Sequence, residues 1–259
     1  SFLLEKGFNR KDTVVACGGG VPGDLAGFVS ACFMRGIDFY NFPTTVLSQV
    51  DSSIGGKTAV DLDGIKNIVG AFHQPKAVII DPDVLKSLPD RQISNGLAEA
   101  VKMSLTSDKE LFEMFETADI TQNIDEILFK AIEIKRKVVE QDVKEAGLRM
   151  ILNFGHTIGH GIESEEGLHG LYHGECVALG MIPMCSDTVR ARLVSVLNKL
   201  NLPTEIAINT EKVISAVIHD KKMRDNTVNT VFVNNVGSFE MKKMTVSEIE
   251  QKLSSVIKE

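Results

Sequence analysis

Hydrophobic and polar positions change their period near residue 89. Residues 13–16 are a short β-branched run of strand type, stopped by Cys17-Gly18-Gly19-Gly20-Val21-Pro22-Gly23-Asp24 and followed by a helix-like apolar stretch through Cys32. A second run, residues 37–42, leads into Pro43-Thr44-Thr45, and residues 77–80 read as a buried strand ended by Asp81-Pro82. Strands alternating with helices predict a mostly parallel sheet over residues 1–89. Beyond Pro89, longer amphipathic patterns predict a helical domain over residues 90–259. Its first helix is capped by Ser94 or Asn95 and carries Glu99 and Lys102, three apart on one face, where an exposed ion pair is the ordinary outcome. Residues 124–143 and a buried core stretch, 177–195, continue the helical reading. Residues 228–233 and 237–241 predict a hairpin, and Thr245-Val246-Ser247-Glu248 a capping box. The fold class is therefore α/β then mainly α.

Candidate chemistry concentrates in Leu152-Asn153-Phe154-Gly155-His156-Thr157-Ile158-Gly159-His160. His156 and His160 are four apart and share a helical face, Glu163 extends that face, and His173-Gly174-Glu175 follows in a glycine-flanked segment. Imidazoles so placed can hold a borderline metal such as zinc, or simply pack as interior histidines. HExxH is absent, which excludes the zinc-protease arrangement. Upstream, the strand–glycine turn–helix at residues 13–32 matches G-x-G-x-x-G, where free N–H groups at a helix start can meet a pyrophosphate. Asp51-Ser52-Ser53-Ile54-Gly55-Gly56-Lys57-Thr58 reads as a polar loop whose lysine, like Lys66 beyond Gly64, either binds an oxyanion or is simply solvated.

Composition narrows the classes. The 259 residues are 43% hydrophobic and 24% charged, enough for one large or two modest globular domains. A net charge of -7 and a pI near 5.5 argue against nucleic-acid or anionic-membrane partners. No apolar run reaches the roughly 18 residues of a membrane helix. Cys17, Cys32, Cys176 and Cys185 lack CxxC spacing and sit in apolar segments, as expected of buried thiols in a cytoplasmic protein.

The ordered motifs GGGVPGD, RG, PTT, DSSIGGK, KN, AEAVK, LNFGHTIGH, HGE and DKK resemble the 3-dehydroquinate synthase family over nearly the whole chain. The resemblance implies a partial Rossmann-like parallel-sheet domain (residues 1–89) that binds NAD, followed by a helical metal- and substrate-binding domain (residues 90–259), with the site between them. It implies a shikimate-pathway lyase that uses NAD and one divalent metal, zinc or cobalt, to convert 3-deoxy-D-arabino-heptulosonate 7-phosphate to 3-dehydroquinate with loss of phosphate. A homodimer is expected. Carried over residue by residue, the metal ligands are Glu99, His156 and His173, and His160 becomes a substrate contact instead of a ligand. NAD contacts fall on Gly20, Val21, Pro22, Gly23, Asp24, Thr44, Thr45, Lys57, Lys66, Val84, Leu85, Lys86 and Ser87. Substrate contacts fall on Arg35, Asp51, Lys57, Asn67, Lys102, Lys135, Arg149, Asn153, His160 and the Lys221-Lys222 pair. Among these, Lys57, Lys102, Asn153 and His160 are expected to serve the substrate more than the fold.

Departures from the family pattern are Pro22 for an aliphatic residue, Asp61 for Asn and Ile65 for Gly. The family's first segment, with early strands and an acidic NAD-contacting loop, has no counterpart ahead of Ser1, so the first domain is expected to be N-terminally incomplete and to bind NAD weakly. A related cyclase making an inosose or valiolone, and a glycerol-dehydrogenase-type alcohol dehydrogenase, are the alternative activities. A binding fragment without activity is the third.

Overall fold

Pro89 divides the chain into two units, Ser1–Pro89 and Asp90–Glu259, in a computed structural model that describes residues 1–63, 65–166, 170–220 and 227–258. In the first unit a short helix α1 (Phe2–Glu5) precedes β1 (Thr13–Gly18), α2 (Gly20–Cys32) and β2 (Asp38–Pro43). The two strands are parallel, with Thr13 opposite Asp38 and Gly18 opposite Pro43, as a strand–helix–strand crossover requires.

Three expectations for this unit need correction. Residues 77–80 do run parallel to β2, since the Asn41 amide donates to the Ala77 carbonyl at 3.1 Å and the Ile79 amide to the Asn41 carbonyl at 2.9 Å. That pairing is a single bridge, and Ile79 is 51% exposed, so the segment is not a buried strand. Pro75 and Pro82 bracket it, and neither can donate to a ladder. The stretch around Lys57 is also more regular than a phosphate loop, because β3 (Lys57–Leu62) and β4 (Ile65–Phe72) form an antiparallel hairpin with a bulge between Val60 and Leu62. Its Thr and Val residues carry a strand preference that the flanking glycines masked. Cys17 and Cys32 are exposed, contrary to the expectation of four buried thiols; Cys176 and Cys185 are buried.

The second unit is built on α3 (Asp90–Ser107), whose Leu97, Ala98, Val101, Met103 and Leu105 are all fully enclosed. A helix apolar on most sides belongs in the middle of a helical layer. Around it lie α4 (Lys109–Thr117), α5 (Ile124–Gln141), α6 (His156–Glu166) and α7 (His173–Met181), with α3 packing on α4, α5 and α7, and α6 on α7. The expected core helix at 177–195 is broken: α7 ends, a tight turn covers Ile182–Met184, and α8 spans Asp187–Lys199. Pro183 cannot continue the ladder, Cys185 pairs with Val233, and Ser186 caps α8. Next come α9 (Thr210–Asp220), against α6, the hairpin β5 (Thr227–Phe232) with β6 (Glu240–Thr245), and α10 (Val246–Leu253), opened by the Thr245–Glu248 capping box. Among the described residues no helix is long and apolar enough to cross a membrane.

Candidate active site

Glu99 projects from the middle of α3, His156 opens α6 and His173 opens α7. Glu99 Oε1 lies 3.7 Å from His156 Nε2 and 3.4 Å from His173 Nε2, and one ligand atom from each residue falls within 4.8 Å of the others. Gly155, at φ +77°, makes the entry to α6 possible: a Cβ there would stand 2.6 Å from Met181 Cγ and 2.8 Å from the Val177 carbonyl of α7.

The chemistry of this donor set suits a divalent ion. Glu99 is 0% exposed, and neither carboxylate oxygen accepts a hydrogen bond among the described residues. A buried carboxylate in that state is costly unless cations surround it. One cation is Lys102, which ion-pairs with Glu99 Oε2 and is itself only 1% exposed. The expected exposed pair is thus a buried one, because the helix face carrying it is covered. Burial alone would raise the Glu99 carboxyl, but the Lys102 ammonium and the two imidazoles outweigh it and hold the group well below the usual carboxylate range. Burial and the same ammonium push His156 well below the ordinary imidazole value, so it is neutral. Its Nδ1 lies 3.1 Å from the Phe154 carbonyl, which can only accept, so Nδ1 carries the proton and Nε2 presents its lone pair. His173 is opposite in character: burial disfavours its charge, but the Glu163 and Glu99 carboxylates beside it prevail and raise it to about 9. Glu99, His156 and His173 thus form a donor group that could hold a metal ion.

Glu163 is a carboxylate whose structural partner the spacing did not identify. Its Oε2 lies 3.2 Å from His173 Nδ1, the arrangement that orients a ligating imidazole, and its position seven residues after His156 was the available signal. His160, Glu163 and His173 make a second trio of closely spaced donors. The His160 ring is 5.2 Å from that of His156 and 6.0 Å from that of His173, so the histidine helix does gather all three imidazoles.

Three more candidates of this unit, Lys135, Arg149 and Asn153, lie on elements that pack against α3. Lys135 on α5 and Arg149 in the turn Leu148–Asn153 are both buried, on elements that pack against α3. Arg149 donates from Nη1 to the Val143 carbonyl at 2.7 Å, while Asp142 accepts the amides of Ala146, Gly147 and Arg149 and so shapes the loop. Those amides hold Asp142 below its ordinary value. Asn153 donates to Glu145 Oε1 at 2.8 Å, which brings in a carboxylate that had not been singled out. Lys221 and Lys222 lie outside the described residues.

In the first unit, Gly20, Val21, Pro22, Gly23 and Asp24 form the opening turn of α2, which has no side-chain cap. The Thr44 amide donates to the Gly18 carbonyl at 2.8 Å, and Thr45 shares a hydroxyl contact with Ser48 at 2.8 Å, so both threonines sit beside the glycine turn. Val84, Leu85, Lys86 and Ser87 belong to a short tight helix, Pro82–Ser87, with Leu85 buried and Lys86 paired to Asp83. Lys57 heads β3, whereas Lys66 and Asn67 lie on β4, and the Asn67 amide donates to Asp61. Arg35 is exposed at φ +69°, and Asp51 lies in the wide turn Ser48–Ser52.

Comparison with known proteins agrees with this architecture. Residues 1–95 match the family model of the 3-dehydroquinate synthase N-terminal region, and residues 96–223 that of the 3-dehydroquinate synthase C-terminal region. A 3-dehydroquinate synthase of Streptococcus thermophilus is 41% identical over 97% of this chain and 75% of its own length. One from Sulfurimonas denitrificans is 44% identical over 91% and 71%. Among solved structures, a 2-epi-5-epi-valiolone synthase from Streptomyces hygroscopicus subsp. jinggangensis with NAD+ and Zn2+ bound superposes with a TM-score of 0.90 at 26% identity, covering 98% of this chain and 76% of that one. A 2-deoxy-scyllo-inosose synthase complexed with carbaglucose-6-phosphate, NAD+ and Co2+ gives 0.88 at 27%, covering 97% and 76%. Glycerol dehydrogenase from Schizosaccharomyces pombe, at 0.63 and 18%, shares the fold alone. With both of its units matched by that family's two models, and with relatives above two-fifths identity over nearly its whole length, the chain belongs to the 3-dehydroquinate synthase family.

Proposed function

We propose that this protein is a 3-dehydroquinate synthase, a lyase that converts 3-deoxy-D-arabino-heptulosonate 7-phosphate to 3-dehydroquinate and inorganic phosphate. The observation that carries the reading is the Glu99–His156–His173 cluster, in which a buried carboxylate without hydrogen bonds meets two imidazole nitrogens. Relatives of this name reach 44% identity, against 26–27% for the inosose and valiolone synthases, so the alternative cyclases are the weaker reading. Against a glycerol-dehydrogenase type stand the buried lysines and arginine, which an uncharged alcohol would not use.

Glu99, His156 and His173 would hold the metal, and the opening turn of α2, with Thr44, Thr45, Lys57, Lys66 and residues 84–87, would hold NAD. Bound there, NAD would take and return one hydride, and the ion would act as a Lewis acid on substrate hydroxyls. The chain's own residues do the rest. Glu163 and the Phe154 carbonyl fix the tautomer and tilt of the two ligating imidazoles. Lys102, Lys135 and Arg149 offer positive charge in a water-poor setting, where it acts far more strongly on an anion than in bulk solvent. Arg149, held by the Asp142 loop, and Asn153, held by Glu145, are pre-oriented donors for a sugar phosphate. His160 adds an imidazole able to exchange a proton with a substrate hydroxyl. Arg35, Asp51, Asn67, Lys221 and Lys222 complete the proposed substrate contacts.

A direct assay supplies 3-deoxy-D-arabino-heptulosonate 7-phosphate, NAD and Zn2+ and follows products by mass spectrometry. Phosphate and 3-dehydroquinate should appear in equal amounts with no net NADH. Failure to form both products from this substrate, or NADH that accumulates, would contradict the proposal. A cytoplasmic location suits the four free cysteines. The family resemblance supports a homodimer, for which light scattering should read twice the 28.3 kDa chain mass; a value of one chain mass would reject it.

A further inference from the structure

Glu175 ends the His173-Gly174-Glu175 motif, and its carboxylate is engaged by α3. It accepts Arg91 Nε at 2.7 Å and Arg91 Nη2 at 2.8 Å, and also takes the Tyr172 amide at 2.7 Å. The Arg91 guanidinium lies over the Tyr172 ring, 4.1 Å from its centroid, and donates to the Gly170 carbonyl. One turn along α3, Asn95 Oδ1 accepts the Gly174 amide at 2.7 Å in a buried contact. A Cβ at Gly174 would stand 1.9 Å from the Asn95 carbonyl oxygen, so the two helices touch where only glycine fits. On either side of His173, the Gly174 N–H is therefore satisfied by Asn95 across the helix interface and the N–H of the capping residue Tyr172 by Glu175.

Arg91, Asn95 and Glu99 are spaced four apart, so they line one face of α3. They meet Glu175, Gly174 and His173 in turn, three successive contacts between the same two helices. We propose that Arg91, Asn95 and Glu175 form a register clamp that holds Glu99 opposite His173, making them positioning residues for the metal cluster. This rests on the reading that Glu99, His156 and His173 hold a divalent ion. A slip of one residue along a helix moves a side chain by about 1.5 Å, whereas metal–ligand distances tolerate about 0.2 Å. A bidentate guanidinium–carboxylate pair resists such a slip because it fixes both distance and orientation.

The test is a double variant, Arg91→Met with Glu175→Gln, which removes both charges so that no buried carboxylate is orphaned. The Gln amide oxygen can still accept the Tyr172 amide, so the α7 cap survives. Zn2+ affinity is measured by competition with a chromophoric chelator, the Co2+ absorption spectrum reports ligand geometry, and melting of the metal-free protein reports the fold. The clamp predicts Zn2+ binding weakened by about 10- to 100-fold and an altered Co2+ spectrum, with a metal-free melt close to wild type. Arg136→Met, which breaks a paired arginine confined to α5, should change neither metal readout. Wild-type Zn2+ affinity and spectrum in the double variant would overturn the clamp, as would an affinity loss that merely tracked a lowered melt. If the wild-type protein took up no Zn2+, the metal reading would fail first and the clamp with it.

Discussion

Replacing His156 with alanine is expected to abolish zinc retention and turnover together. In the proposed site three residues hold the ion, so loss of one imidazole would leave two donors, too few to hold it against buffer and water. No neighbour replaces it readily: His160 is on the same helix, but its ring is 5.2 Å from that of His156. Metal content after dialysis, read beside the rate of phosphate release, tests this. Stoichiometric zinc with full activity in the variant would remove His156 from the ligand set. The fold should persist, because His156 opens α6 rather than filling its core; Ile158 and Ile162 do that.

Lys102→Met is expected to lower the stability of the metal-free protein, in contrast to the small effect of an exposed pair. Exposed ion pairs contribute about 0–1 kcal/mol. Removing one partner of a buried pair costs about 3–5 kcal/mol, because the other charge is left in a low-dielectric interior. For a unit of this size that corresponds to a fall in Tm on the order of 10 °C. Glu99→Gln combined with Lys102→Met should regain most of the loss, since both charges then disappear. A single variant that melts like wild type would mean the pair is not buried in solution. Lys102 therefore has two roles, stabilising the Glu99 carboxylate and offering charge to substrate, and activity alone cannot separate them.

The histidine part of the site was legible in the chain because its spacing is local. His156 and His160 lie one turn apart, and the motif around them fixes a helix start. Glu99 was reached only through the family pattern, for nothing in residues 94–102 distinguishes a metal ligand from half of a surface ion pair. Whether Glu99 and Lys102 face water depends on α7 and α5 covering α3, which is tertiary information. Asn95 illustrates the same limit. Its capping preference was visible, but it caps α7 across the interface, not its own helix, which begins at Asp90. The hairpin at residues 57–72 was hidden because glycines at 55, 56 and 64 suggested a loop, while the pairing partner that makes a strand lies further along the chain. The break at Pro183–Ser186 was signalled by the proline itself, against an apolar run that suits a buried helix equally well.

A crystal grown with Zn2+ and measured at the zinc absorption edge tests the central claim most directly. One anomalous peak should lie among Glu99 Oε1, His156 Nε2 and His173 Nε2, with metal–ligand distances of roughly 2.0–2.2 Å. A peak held instead by His160, Glu163 and His173, or none in this pocket, would contradict the assignment.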